Sequence, residues 1–137
     1  MLIRSIAHGV GLSDLASYPS SAAACLAALE VVEENLGLVK TLWENTRYFK
    51  SQLKSRGFDI GQGETPITPV MVGKSEVAHT LAEQLFKHGV FVLPIVYPMV
   101  ARDKARNRTI VTAAHSKEDL DFAVEKFEQA GRKLKLI

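Results

Sequence analysis

Residues 67–86 read ITPVMVGKSEVAHTLAEQLF, and a change of period inside this stretch decides the fold. Ile67, Val70, Met71 and Val72 read as a strand, and Pro69, which has no donor, places it at a sheet edge or a bulge. From Ser75 the apolar steps become three and four. Val77, Ala78, Leu81, Ala82 and Leu85 then share one helix face through Phe86. Ser75 is placed to cap that helix and Gly89 to end it.

The pattern extends in both directions. Val90, Phe91, Val92, Leu93, Ile95 and Val96 form an apolar run of strand length, with Pro94 ending its hydrogen bonding. Tyr97 to Asn107 is polar and basic, and Thr109, Ile110, Val111 and Thr112 read as a third strand. Ser116-Lys117-Glu118-Asp119 has the form of a capping box ahead of a last helix with Leu120, Ala123, Val124, Phe127, Ala130 and Leu134 on its apolar face. Upstream, Leu38, Leu42, Thr46, Phe49 and Leu53 share a helix face beside Trp43, with Gly57 as the C-terminal cap. Before them Pro19 opens a helix carrying Ala22, Cys25, Leu26, Leu29 and Val32 on one face, with Ser17 or Ser20 able to cap it and Gly37 as the break or bend.

The predicted order is a long helix or helix pair followed by β-α-β-β-α. That is an α+β fold with a three-stranded sheet and helices on one face. Residues 1–18, interrupted by Gly9, Gly11, Ser13, Asp14 and Ser17, are expected to be irregular. Residues 19–57 read as an interdomain-type helical region and 58–137 as a small α+β domain.

Composition narrows the classes. At 137 residues, 47% hydrophobic and 23% charged, the chain suits one folded domain rather than a disordered segment. A net charge of +2 is too balanced to point to nucleic acid or a membrane surface. No apolar run approaches the roughly 18 residues of a membrane span, and the first residues do not read as a secretory signal. One cysteine, Cys25, excludes an internal disulfide and fits a reducing, cytoplasmic setting.

Few groups of residues carry chemistry. Gly73-Lys74-Ser75 sits between strand and helix like a phosphate loop, but that loop needs an earlier glycine where Thr68 stands. Lys74 reads as a solvated side chain. His8, His79, His88 and His115 are scattered, with no metal-ligand spacing. His115 lies at a strand-to-helix turn, where a local hydrogen bond is the plainer role. Cys25, on an alanine-rich face, reads as a buried structural thiol. The basic residues Arg102, Lys104, Arg106 and Arg108 alternate, so an extended backbone lines all four along one face. Arg108, at the start of the third strand, is anchored and can take a carboxylate in its planar fork.

Four segments in order, LWENTRYFK (42–50), ETPITPV (64–70), KARNR (104–108) and AAH (113–115), resemble the C-terminal part of the α-oxoamine synthases. These are pyridoxal-phosphate enzymes of the aspartate aminotransferase-like fold, fold type I. The first two segments resemble most the 2-amino-3-ketobutyrate coenzyme A ligase (glycine C-acetyltransferase) branch. There glycine and acetyl-CoA condense to 2-amino-3-ketobutyrate and CoA, a reaction that in reverse serves threonine catabolism. The resemblance runs from about Pro19 to Ile137.

It implies a site. Arg108 matches the second arginine of the family's R-x-R motif, the one that holds the amino-acid carboxylate. Arg106 matches the first. The family's Schiff-base lysine lies in a Thr/Ser-x-Gly-Lys segment that has no counterpart here, and Lys74 is not its equivalent. The family's hydroxyl-bearing stretch before the long helix falls on Ser13-Asp14-Leu15-Ala16, where its pattern is lost. The resemblance therefore implies a C-terminal fragment of a homodimeric enzyme. Arg108 would be its substrate residue, with no catalytic, cofactor-binding or metal residue of its own, and pyridoxal phosphate would not be bound by this chain alone. The other expectations are a stand-alone oligomerising or interaction module without catalysis, or a fragment of a related α-oxoamine synthase.

Overall fold

The computed structural model describes residues 19–137. Ser13-Asp14-Leu15-Ala16, His8 and Ser17 lie outside them. Among the described residues, those from Pro19 to Val39 belong to one unit and Lys40–Ile137 to another.

In the first unit, helix α1 (Pro19–Glu34) has no buried residue. Its alanines favour helix without tertiary contacts. Cys25 is exposed, which corrects the expectation of a buried thiol. The break falls at Asn35, not Gly37. Both the backbone N–H and the side-chain amide of Asn35 donate to the Val31 carbonyl at 3.1 Å, so Asn35 ends α1 locally. Helix α2 (Leu36–Ser55) starts at once, with Gly37 inside it.

The second unit holds the rest of α2, then β1 (Ile67–Gly73), α3 (Ser75–Lys87), β2 (Leu93–Ile95), β3 (Ala105–Ile110) and α4 (Lys117–Lys133). The fold is α+β, as the periods predict. The sheet is antiparallel in the order β1-β3-β2, with Pro69 on one outer strand and Pro94 on the other. Pro94 pairs with Asn107 inside β2 rather than ending it.

The apolar faces read from spacing are those that close the core. Phe49 and Leu53 of α2, Leu81 and Leu85 of α3, and Leu120, Val124 and Phe127 of α4 are all buried. The Phe127 ring meets Phe49 and Phe58 edge to face, with centroids 6.3 and 5.9 Å away. Ser116 accepts from the Asp119 N–H and the Asp119 carboxylate accepts from the Ser116 N–H, so the capping box is formed. No described helix is long and apolar enough to cross a membrane.

Three boundaries differ from the reading. Lys74, not Ser75, is the N-cap of α3, without a side-chain cap bond. Gly73, at φ +77°, turns the chain one residue earlier. The apolar run 90–96 supplies only a three-residue strand, because the Val90 N–H is used by the Leu85 carbonyl at the end of α3. The third strand is Ala105–Ile110 rather than Thr109–Thr112. Its buried face carries Asn107, whose amide donates to the Ala78 carbonyl at 3.0 Å, so a polar residue stands where an apolar one marks a strand.

Candidate functional site

β3 is the middle strand, and its residues alternate between two faces. Ala105, Asn107 and Thr109 are buried under the helices. Arg106 and Arg108 therefore project from the opposite face. Arg106 lies between Met71 and Ile95, and Arg108 between Pro69 and Leu93. Of the four basic residues expected along one face, these two are brought together. Arg102 and Lys104 precede the strand, and the Arg102 guanidinium stacks 5.2 Å from the Tyr97 ring centroid.

The two arginines share a cleft of about 350 Å³ with Gly63, Thr65, Ile67, Pro69, Ile95 and Val100. Arg106 Nε donates to the Lys104 carbonyl at 3.2 Å. Arg108 Nε is buried and has no acceptor. Among the described residues neither arginine forms an ion pair. A buried donor without an acceptor is costly, and two uncompensated cations side by side repel. Both costs are removed by an anion, and a planar carboxylate matches the arginine fork in two parallel hydrogen bonds.

Arg108 also lines a larger cleft, of about 680 Å³, whose walls include Phe91, Ile110, Phe122 and His115. His115 keeps the plain role. Its Nδ1 accepts from the Thr112 N–H at 3.1 Å, which orders the turn after β3. No lysine lines either cleft. Among the described residues no three His, Cys, Asp or Glu side chains come together as a metal site. Lys74 is exposed.

The LWENTRYFK segment proves to be a set of ties from α2. The Asn45 amide donates to the carbonyls of Thr112 and His115, at 3.1 and 2.8 Å. The Tyr48 hydroxyl donates to Asp121 on α4, and that bond raises the Tyr48 pKa above its ordinary value. Lys50 reaches the carbonyls of Gly63 and Thr65. Sequence reading missed these residues as ties, because their partners, backbone carbonyls for Asn45 and Lys50 and a carboxylate for Tyr48, lie more than ten positions away.

Comparison with known proteins agrees with this architecture. The family described as "Aminotransferase class I and II" matches residues 4–127, beginning upstream of Pro19, where the resemblance read from the motifs starts. An 8-amino-7-oxononanoate synthase of Thermoanaerobacter pseudethanolicus is 50% identical over 119 residues, covering 87% of this chain and 30% of that protein. The synthase of that name from Symbiobacterium thermophilum is 55% identical, with the same coverage. A solved serine palmitoyltransferase with pyridoxal phosphate superposes with a TM-score of 0.69 at 26% identity, over 72% of this chain and 25% of its own. The chain thus spans about 30% of the length of these curated relatives. Pyridoxal phosphate is the cofactor of the full-length family. The chain belongs to the class I and II aminotransferase family and is α-oxoamine synthase-like within it.

Proposed function

We propose that this chain is the amino-acid carboxylate-binding part of an α-oxoamine synthase, a homodimeric enzyme that joins an amino acid to an acyl thioester. The observation that carries the reading is Arg108, whose buried Nε has no acceptor and whose smaller cleft holds a second arginine and no carboxylate. Arg108 fixes the carboxylate by two parallel hydrogen bonds, and Arg106 adds positive potential beside it. We assign residues 19–57 as the helical link to a larger domain and 58–137 as the small domain.

Attachment of pyridoxal phosphate through an aldimine needs a lysine amine in the cleft, and neither cleft has one. The described residues therefore fit the substrate-carboxylate side of such a site and not the cofactor's attachment. No step of the chemistry is assigned to them beyond binding and orienting the amino acid.

The branch named by the relatives, formation of 8-amino-7-oxononanoate, is the first reading of the product, supported by identities of 50% and 55%. Glycine with acetyl-CoA is the second, supported by LWENTRYFK and ETPITPV. Asn45, Tyr48 and Lys50 of the first segment bind the chain's own loops and helix, so that segment speaks for the architecture more than for the acyl group.

A chimera tests the reading. Residues 19–137 replace the matched segment of the Thermoanaerobacter enzyme, and product is measured with a long dicarboxylic acyl thioester and with acetyl-CoA. The expected result is activity that disappears with Arg108→Ala. Full activity in that variant overturns the assignment, and the preferred thioester decides the branch.

A further inference from the structure

Lys50 follows the buried Phe49 on α2, and its amine leaves the core for a loop. Nζ donates to the Gly63 carbonyl at 2.6 Å and to the Thr65 carbonyl at 2.7 Å. Both residues line the cleft of Arg106 and Arg108.

That loop has little else to hold it. The Gly61 N–H donates to the Asp59 carboxylate at 2.9 Å, and the Thr65 hydroxyl reaches the Ile67 carbonyl at 3.4 Å. Among the described residues, only the Lys50 hydrogen bonds tie residues 61–66 to a part of the chain more than two positions away. Gly61 at φ +61° and Gly63 leave the backbone free to rearrange. Charge-assisted bonds to two carbonyls at once oppose that freedom.

The bonds have a second effect. The Gly63 and Thr65 carbonyls are acceptors in the wall of a cleft where Arg108 Nε lacks one. The ammonium fixes where those carbonyls stand in the wall that Arg108 shares.

We infer that Lys50 is a positioning residue: its ammonium clamps the Gly63–Thr65 wall of the arginine cleft and so sets how tightly that cleft holds a carboxylate. This deepens the carboxylate-binding reading of Arg108 and rests on it.

The test uses the full chain, labelled with ¹⁵N, as wild type, Lys50→Met and Lys50→Arg, with glycine as probe. Methionine keeps the apolar stem and removes the charge. Backbone order parameters of residues 62–65 are expected near the rigid value of about 0.85 in the wild type and below about 0.6 in Lys50→Met. The Arg108 Nε–H resonance is expected to move in Lys50→Met without ligand. Glycine affinity is expected to fall roughly tenfold as the preformed wall is lost. Lys50→Arg restores all three, and the thermal midpoint stays unchanged in both variants.

Order parameters and an Arg108 resonance untouched by Lys50→Met overturn the inference. So does a lowered midpoint with shifts spread through the core, which marks a general structural role. If glycine leaves the wild-type Arg108 resonance in place, the carboxylate reading fails, while the ligand-free measurements still decide the clamp.

Discussion

Arg108 faces Pro69 across the β1–β3 pair, a charged side chain opposite a ring with no polar atom. On its other side stands Leu93, equally without an acceptor. The guanidinium is thus placed by its backbone and left unpaired by its neighbours. Two consequences can be measured separately. Arg108→Ala removes a half-buried side chain whose Nε has no acceptor, so stability is expected to stay level or to rise, by at most about 1–3 kcal/mol. Carboxylate binding, read by titrating the chain with glycine or alanine, is expected to vanish. Arg108→Lys keeps the charge and loses the fork, at about 1.5–3 kcal/mol of binding. Chemical denaturation showing a large loss of stability for Arg108→Ala assigns the residue to the fold instead.

Gly131 gives a prediction of the opposite kind. It lies on α4, where alanine ordinarily gains about 1 kcal/mol over glycine. A methyl group there meets Cζ of Phe58 at 2.6 Å and Cε1 at 2.9 Å. Phe58 is buried and packed on Phe127, so the ring has nowhere to go. Gly131→Ala is expected to destabilise by about 1–3 kcal/mol, the range for overpacking. Gly131→Ala with Phe58→Leu is expected to recover part of it in denaturant melts.

Acid sensitivity follows from two carboxylates. The Ser116 N–H, and after it the Ser116 hydroxyl, hold Asp119 below the usual carboxylate range. Arg132, and after it Arg56, do the same for Glu128. Both groups titrate lower in the folded chain than in the unfolded one. Their contribution is therefore complete above the unfolded values of about 4 and is lost as pH falls through the lowered folded values. Thermal melts are expected to be flat in this respect above about pH 5 and to fall below about pH 4. Ser116→Ala is expected to cost about 1 kcal/mol at neutral pH through the lost cap. It also removes part of the acid slope.

Cofactor chemistry supplies a fourth test. The purified chain mixed with pyridoxal phosphate and reduced with borohydride is expected to show no single labelled lysine. The amine needed for attachment lines neither cleft. Stoichiometric labelling at one position, seen by peptide mass, contradicts the division of roles proposed above.

The fold was legible wherever burial follows a regular period. Leu81 and Leu85, or Val124 and Phe127, sit at helical spacing because one face alone is apolar, and they are the core. β3 was harder to read. Ala105-Arg106-Asn107-Arg108 has little of the β-branched signature, because one face is open and the other hides an asparagine whose amide N–H donates to the Ala78 carbonyl. Arg108 was legible as an anchored arginine. Its isolation was not, since that depends on Pro69 and Leu93 arriving from strands far away in the chain. Cys25 was misread for the converse reason. An apolar stripe says a partner is wanted, and among the described residues α1 buries none of its own.

The prolines on the two outer strands limit growth of the sheet. Sheets lengthen when a new chain finds an unbroken row of donors along a rim. Pro69 interrupts that row on one rim and Pro94 on the other. Neither border is a good template for another strand, so crowding of many copies has no ready route into a continuous ribbon. Self-association, where it occurs, falls to the helices.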